Sequence, residues 1–75
     1  MKQIQIIQEP IDLNKLMKFE SLVSSGGEAN SAIVSGIVKV NGELETRKRR
    51  KLMAGDVVEF MQESYEIILV QPTTQ

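Results

Sequence analysis

The chain of 75 residues contains no cysteine and no histidine. The absence of cysteine excludes a disulfide framework, a thiolate nucleophile and a cysteine zinc site, and nothing in the sequence indicates an oxidising compartment. A serine could use a lysine as its base, but Ser24 and Ser25 belong to no such motif, and no pair of carboxylates has a spacing that indicates a pocket. We therefore expect a cytoplasmic protein that is not an enzyme and that binds no metal and no cofactor.

Long hydrophobic runs are also missing. Residues 1–8 carry one lysine and an apolar run interrupted by Gln3 and Gln5, which is too short for a signal peptide or a membrane span. The net charge is −1 and the pI is about 5.3. Domains that coat nucleic acid without specificity usually have a strongly basic pI, so any binding of nucleic acid by this chain must be confined to a local basic region. With 41% hydrophobic and 25% charged residues, we expect one soluble, monomeric domain spanning residues 1–75.

Positive charge is scarce outside one stretch. Residues 47–51 are five consecutive cations, Arg-Lys-Arg-Arg-Lys, which we call the basic tract, whereas the rest of the chain has four lysines against ten acidic residues. Five adjacent like charges repel one another and destabilise the fold. Their presence is easier to explain if an anionic partner binds there. A solvated or disordered run is the alternative, but strand-like segments flank the tract and indicate a presented loop. Arginine suits phosphate because its planar guanidinium donates two parallel hydrogen bonds.

The segment before the tract predicts two short helices. The first starts at Leu13, with the Asp12 carboxylate as its N-cap, and its apolar content extends to Val23. Lys15 and Lys18 are three residues apart and lie off the apolar stripe, so we expect them to form a small cationic edge. A solvated helix face is the simpler interpretation of two lysines taken alone.

A Ser-Ser-Gly-Gly break at residues 24–27 precedes the second predicted helix, which runs from Glu28 to Ser35 with Gly36 in the C′ position. Small alanines on its packing face predict that the two helices lie close together, with the serine-glycine loop between them. The N–H groups at its start could bind an anion, although Glu28 in the first turn opposes that role.

The dipeptide Asn41-Gly42 indicates a β-hairpin. A two-residue loop would place Val38 opposite Glu45 and so mix apolar and charged residues on one face. We therefore predict a three-residue loop that ends in a bulge at glycine and places Val38 opposite Leu44.

Further strands are predicted at residues 2–8, 57–61 and 65–70, followed by a polar tail at residues 71–75. Together with the hairpin and the helices, these segments predict a chain that contains both helices and strands.

These signals follow one another in a recognisable order: a capped helix, a Ser-Gly break, a short Glu-Ala helix, the segment Gly-Ile-Val-Lys-Val-Asn-Gly-Glu, the basic tract, and then Lys-Leu and Gly-Asp. The order resembles the S4-like RNA-binding domain, the αL motif first named for the fourth protein of the small ribosomal subunit. The resemblance covers roughly residues 11–60 and is strongest to small stand-alone bacterial members. It implies an α+β fold in which two short helices form the αL motif and pack on a small, mainly antiparallel β-sheet, with RNA held between the helices and the following hairpin.

The resemblance also implies a set of RNA contacts on the two helices, the hairpin and the basic tract. Carried over position by position, they are Lys15, Lys18, Ser25, Asn30, Lys39, Arg47, Lys48, Arg49, Arg50 and Lys51. Many family members have an arginine after the serine that opens the second helix, where this chain has Gly26. Because Gly26 cannot make that phosphate contact with a side chain, we expect the basic tract to make most of the phosphate contacts. We expect non-catalytic binding to the phosphates of structured RNA, either ribosomal or transfer RNA.

Another class of function remains open, namely a protein-interaction module that uses the acidic surface. The Val-Asn-Gly and Gly-Asp-Val-Val segments also resemble ubiquitin-like sulfur carriers, but those carriers need a terminal Gly-Gly and this chain ends Pro-Thr-Thr-Gln. Within the RNA-binding hypothesis, stacking on unpaired bases is disfavoured, because Phe19 and Phe60 are assigned to the core. Among the three aromatic residues, only Tyr65 is left undecided.

Overall fold

The structure, a computed structural model, describes residues 1–70, which form two helices and seven strands. Five of the strands form one sheet in the order β1-β7-β6-β3-β4, while β2 and β5 pair separately. All neighbouring strands are antiparallel except β1 and β7. The elements are β1 (Lys2–Ile6), β2 (Ile11–Asp12), α1 (Leu13–Phe19), α2 (Gly26–Val34), β3 (Val38–Val40), β4 (Glu43–Leu44), β5 (Lys51–Leu52), β6 (Val57–Phe60) and β7 (Glu63–Leu69).

This architecture confirms the α+β prediction of two short helices on a mainly antiparallel sheet. The predicted polar tail at residues 71–75 lies outside the described residues. Neither helix is long enough to cross a membrane, since α1 has 7 residues and α2 has 9, and residues 1–70 contain no other helix.

The core lies between the two helices and one face of the sheet. Side chains alternate between the two faces of a strand, so Val38 and Val40 are buried while Lys39 between them is exposed. The residues with no exposed surface come from both helices and from four strands. They are Leu13, Met17, Ala29, Ile33, Val38, Leu52, Val58 and Ile67. Burying a large aliphatic side chain stabilises the folded state by about 1.5–3 kcal/mol.

Helix α1 begins at Leu13 as predicted, but the predicted side-chain cap is wrong. Asp12 has the extended backbone angles of an N-cap residue, φ −71° and ψ 140°, yet its carboxylate accepts no hydrogen bond from the first turn. The carboxylate instead accepts a hydrogen bond from Lys51 Nζ. The helix also ends earlier than its apolar content predicts, at Phe19, and the chain then turns at Ser21 with φ 58°.

Helix α2 begins at Gly26, two residues before the predicted start, because Ser25 is its N-cap. Ser25 Oγ accepts a hydrogen bond from the N–H of Glu28 at 3.1 Å, and Glu28 Oε1 accepts one from the N–H of Ser24 at 2.7 Å. The first of these bonds satisfies one of the N–H groups that a helix leaves unpaired in its first turn, and the second fixes the chain just before the N-cap. The end of the helix agrees with the prediction, since Gly36 has φ 84° in the C′ position.

The predicted three-residue hairpin loop is wrong. Strands β3 and β4 are joined by the two residues Asn41 and Gly42, whose φ angles of 54° and 83° are both positive, as in a type I′ turn. The N–H of Glu45 donates to the carbonyl of Val38 at 3.0 Å. This is the pairing that the alternation of apolar and charged residues disfavours. It is stable because the Glu45 carboxylate is neutralised by the basic tract that follows it.

Candidate nucleic-acid interface

The basic tract is an ordered part of the fold. The N–H of Arg50 donates to the carbonyl of Arg47 at 3.3 Å and closes a turn. Two carbonyls of the tract accept hydrogen bonds from the first turn of α1, Leu13 N–H to Arg50 O at 2.9 Å and Asn14 N–H to Lys48 O at 3.1 Å. These bonds satisfy helix N–H groups that would otherwise lack partners. The tract thereby replaces the side-chain cap predicted at the start of α1 and fixes its own position against that helix.

Glu45 holds two arginines of the tract. Only 5% of its surface is exposed, and its two carboxylate oxygens accept from Arg47 Nε at 2.9 Å, Arg47 Nη2 at 3.0 Å and Arg50 Nη1 at 2.6 Å. The backbone N–H of Arg47 donates to the same carboxylate at 2.9 Å. The hydrogen bonds from Arg47 outweigh desolvation and lower the pKa of Glu45 to about 2, and the pKa of Arg47 is raised in return. A carboxylate thus fixes the turn of the tract.

Asp12 lies among three cations from two separate parts of the chain. The hydrogen bond from Lys51 lowers the pKa of Asp12, and the charges of Lys15 and Arg49 lower it further. Lys15 belongs to α1, whereas Arg49 and Lys51 belong to the basic tract. The structure therefore brings the first helix and the tract onto one surface around Asp12.

Within residues 1–70, ion pairs divide the predicted cations into two groups. Three of the five tract residues have a carboxylate partner: Arg47 and Arg50 pair with Glu45, and Lys51 pairs with Asp12. Four exposed cations on α1 and the tract have none in this part of the chain, namely Lys15, Lys18, Lys48 and Arg49. We call these four the unpaired cations. They are available to an anionic partner without breaking an existing ion pair.

The two predicted polar contacts of the second helix already have roles inside the protein. The Ser25 hydroxyl caps α2. Asn30 Oδ1 accepts from Asn14 Nδ2 at 3.0 Å and so links the two helices, and Asn30 also lines a shallow depression beside Lys48. Asn14 Oδ1, which is buried, has no hydrogen-bond partner within the described residues. Asn14 and Asn30 thus lie next to Lys48 of the tract, whereas Ser25 has no hydrogen bond to the tract within the described residues.

Lys39 is separated from the other predicted contacts. It is exposed on β3, opposite Glu59 of β6 and Leu44 of β4. Because Val38 and Val40 face the helices, Lys39 projects from the other face of the sheet. The structure does not bring it together with the tract or with α1.

One of the two aromatic residues assigned to the core is exposed in the structure, and the sequence pattern did not identify the role of Glu45. Phe60 is 8% exposed, as expected of a core residue, but Phe19 is 66% exposed and does not belong to the core. The sequence pattern treats Glu45 only as an obstacle to the hairpin register, although a glutamate two residues before an arginine run could have indicated an internal partner for that run. No three Asp or Glu side chains within residues 1–70 are close enough together to hold a metal ion.

The sequence matches the model of the S4 domain over residues 4–68. The chain is 43% identical over 58 residues to the Escherichia coli "Putative RNA-binding protein YbcJ", which covers 77% of this chain and 83% of that protein. It is 41% identical over 57 residues to the Bacillus subtilis "Probable ribosome maturation protein RlbA", covering 76% of this chain and 80% of that one.

The fold is also similar to a solved structure. The solution structure of E. coli YbcJ, described as revealing an αL motif involved in RNA binding, superposes with a TM-score of 0.69 at 39% identity. The match covers 91% of this chain and 87% of YbcJ. The two helices and the sheet therefore form the same αL motif.

Proposed function

The chain belongs to the S4-domain family, and on this premise we propose that it is a non-catalytic RNA-binding protein. The names of its relatives, one an RNA-binding protein and one a ribosome maturation protein, support ribosomal RNA as the target. A role on ribosomal RNA would place the protein in the cytoplasm. The proposed activity is binding alone, since the chain has neither histidine nor cysteine.

The observation that carries the proposal is the surface formed by α1 and the basic tract. The four unpaired cations belong to these two segments, and the tract is held in place by Glu45 and by the first turn of α1. A tract whose backbone is already ordered loses little conformational entropy on binding, and the exposed charges attract phosphate at long range. Phosphate contacts carry no sequence information, so we infer that the protein recognises the shape of a structured RNA.

The ion pairs determine which cations can be replaced to test RNA binding without disturbing the fold. Changing Arg47 or Arg50 would release the buried Glu45 and disturb the fold, so a loss of binding would be ambiguous. Lys48 and Arg49 have no such partner within residues 1–70. The double variant K48Q/R49Q therefore removes two charges without leaving a carboxylate unpaired.

The experiment compares K48Q/R49Q with K2Q/K39Q, which removes the same charge away from this surface. Affinity for a structured ribosomal RNA fragment is measured by filter binding at low salt. We expect K48Q/R49Q to weaken binding roughly tenfold or more, as the loss of two charge-assisted hydrogen bonds implies, and K2Q/K39Q to have little effect. An equal loss in both variants would show that only net charge matters and would refute the proposed surface. Wild-type protein that binds no RNA would refute the function itself.

A further inference from the structure

Phe19 is a large aromatic side chain that the fold leaves in solvent. It is the last residue of α1 and is 66% exposed, although the chain has only three aromatic residues. Helix α1 ends there, and the chain turns two residues later at Ser21, which has φ 58°. The fold of residues 1–70 therefore does not use most of the surface of Phe19.

The ring lines a groove of about 530 Å³. One wall is α1, with Leu16 and Phe19, and the other is the connection from β1 to β2, with Pro10 and Ile11. This volume is within the range of sites that hold small organic ligands, and a mainly apolar wall with a few polar groups at one end is typical of them. A flat ligand could lie against the ring.

The charges along the groove are arranged by sign. Lys15 and Lys51 line the end near the basic tract, whereas Glu20 follows Phe19 at the other end. Asp12 also lines the first end but is paired with Lys51, which leaves Lys15 as the cation there without a carboxylate partner within residues 1–70. Lys15 and Phe19 are four residues apart in one helix and so lie on the same face, about one turn from each other. An anionic group would be attracted to the Lys15 end and repelled from the Glu20 end. A ligand that fits this groove is therefore anionic at one end and flat and apolar at the other, as a nucleotide is.

We propose that Phe19 stacks on an unpaired base of the bound RNA while Lys15 contacts the phosphate of the same nucleotide. The proposal rests on the RNA-binding function proposed above and adds a preference to it. Bases within an A-form duplex are stacked on each other and do not offer a face to a side chain, whereas a bulged or loop nucleotide does. The preferred target is thus a helical RNA that carries an unpaired nucleotide next to the segment bound by the tract.

The test uses two RNA hairpins of equal length and charge, one fully paired in its stem and one with a single bulged 2-aminopurine in it. Stacking on an aromatic side chain quenches the fluorescence of 2-aminopurine, so binding and stacking are read separately. Wild-type protein is expected to bind the bulged hairpin more tightly and to quench its fluorescence. F19A should lose roughly 5- to 160-fold in affinity for the bulged RNA, the range found for removing one stacking aromatic, with no change for the paired RNA.

Two further variants make the result specific. F19W keeps a stacking surface and should retain both affinity and quenching. L44A removes an exposed side chain of similar hydrophobicity from the face of the sheet opposite the helices, where Leu44 is 60% exposed, and should behave as wild type.

The outcomes separate this inference from the function on which it rests. If wild-type protein binds both hairpins equally, or if F19A binds the bulged hairpin as wild type does, the stacking proposal is wrong and RNA binding stands. If F19A instead abolishes a concentration-dependent dimer seen by analytical ultracentrifugation, the groove is covered by a second copy and the proposal is also wrong. Wild-type protein that binds neither hairpin would refute both proposals.

Discussion

Glu45 is 5% exposed and accepts hydrogen bonds from two arginines of the basic tract. Replacing it with glutamine removes the charge and leaves Arg47 and Arg50 without their partner. We expect E45Q to lower the free energy of unfolding by about 1–3 kcal/mol, the cost of breaking charge-assisted hydrogen bonds at a buried group. Urea denaturation measures this loss. The matched control is E43Q in the same hairpin, where Glu43 is exposed and unpaired within residues 1–70, and we expect its effect to stay within about 0.5 kcal/mol.

The contribution of Glu45 should depend on pH in a defined direction. Its pKa falls from an ordinary 4.5 to about 2 in the folded protein, so folding favours the ionised form. The stabilisation is fully present above pH 4.5 and is lost as the pH falls towards 2. The difference in melting temperature between wild type and E45Q should therefore shrink over that range. A difference that stays constant down to pH 2 would show that the ion pairs do not stabilise the fold.

At the scale of the elements, the hairpin turn gives a direct test. Gly42 has φ 83°, and a Cβ added there would meet no atom within 4 Å. A substitution is therefore costly only because of the backbone angle, which a β-branched residue rarely adopts. We expect G42V to destabilise the protein by more than ~1 kcal/mol.

The control for this turn is G26A. Gly26 also has open space around its Cβ position, but it has an ordinary backbone angle in the first turn of α2. Alanine there should leave stability unchanged or raise it by about 0.4–1 kcal/mol. Equal melting temperatures for wild type and G42V would contradict the type I′ turn.

Ser25 distinguishes a capping role from a contact with RNA. Its hydroxyl accepts the hydrogen bond from Glu28 N–H that starts α2, so S25A should cost about 1 kcal/mol of stability. If capping is its only role, RNA affinity measured well below the melting temperature will be unchanged. A loss of affinity without a loss of stability would assign Ser25 to the RNA contacts instead.

At the scale of the whole molecule, periodicity and turn residues predicted most of the helices and strands, and the family resemblance supplied their arrangement. The alternation of Ile4 and Ile6 predicted β1, and Gly36 predicted the end of α2. The hairpin register was not predictable in this way, because the pattern counts Glu45 as a polar residue that must face solvent. Only the arginines that follow it make its burial possible, and this is a tertiary effect.

The candidate site was predictable in part for a similar reason. The composition identified the basic tract, and the resemblance implied that Lys15 lies on the same surface; in the structure Lys15 and Lys51 line the same groove. The sequence could not show which cations are paired internally, because Asp12 and Lys51 are 39 residues apart. Nor could it show that Phe19 is exposed, because that depends on where α1 ends.

The central claim is that α1 and the basic tract bind one RNA through a single surface. The most direct test is the dependence of RNA affinity on salt for K15Q/K18Q, with K2Q/K39Q as a control of equal charge. Each lysine that binds a phosphate releases counterions, so the plot of log affinity against log salt should flatten by roughly 0.7 to 0.9 for every phosphate that the variant no longer binds. The account predicts a flatter slope for K15Q/K18Q and a wild-type slope for K2Q/K39Q. A wild-type slope for K15Q/K18Q would restrict the binding surface to the tract and contradict the account.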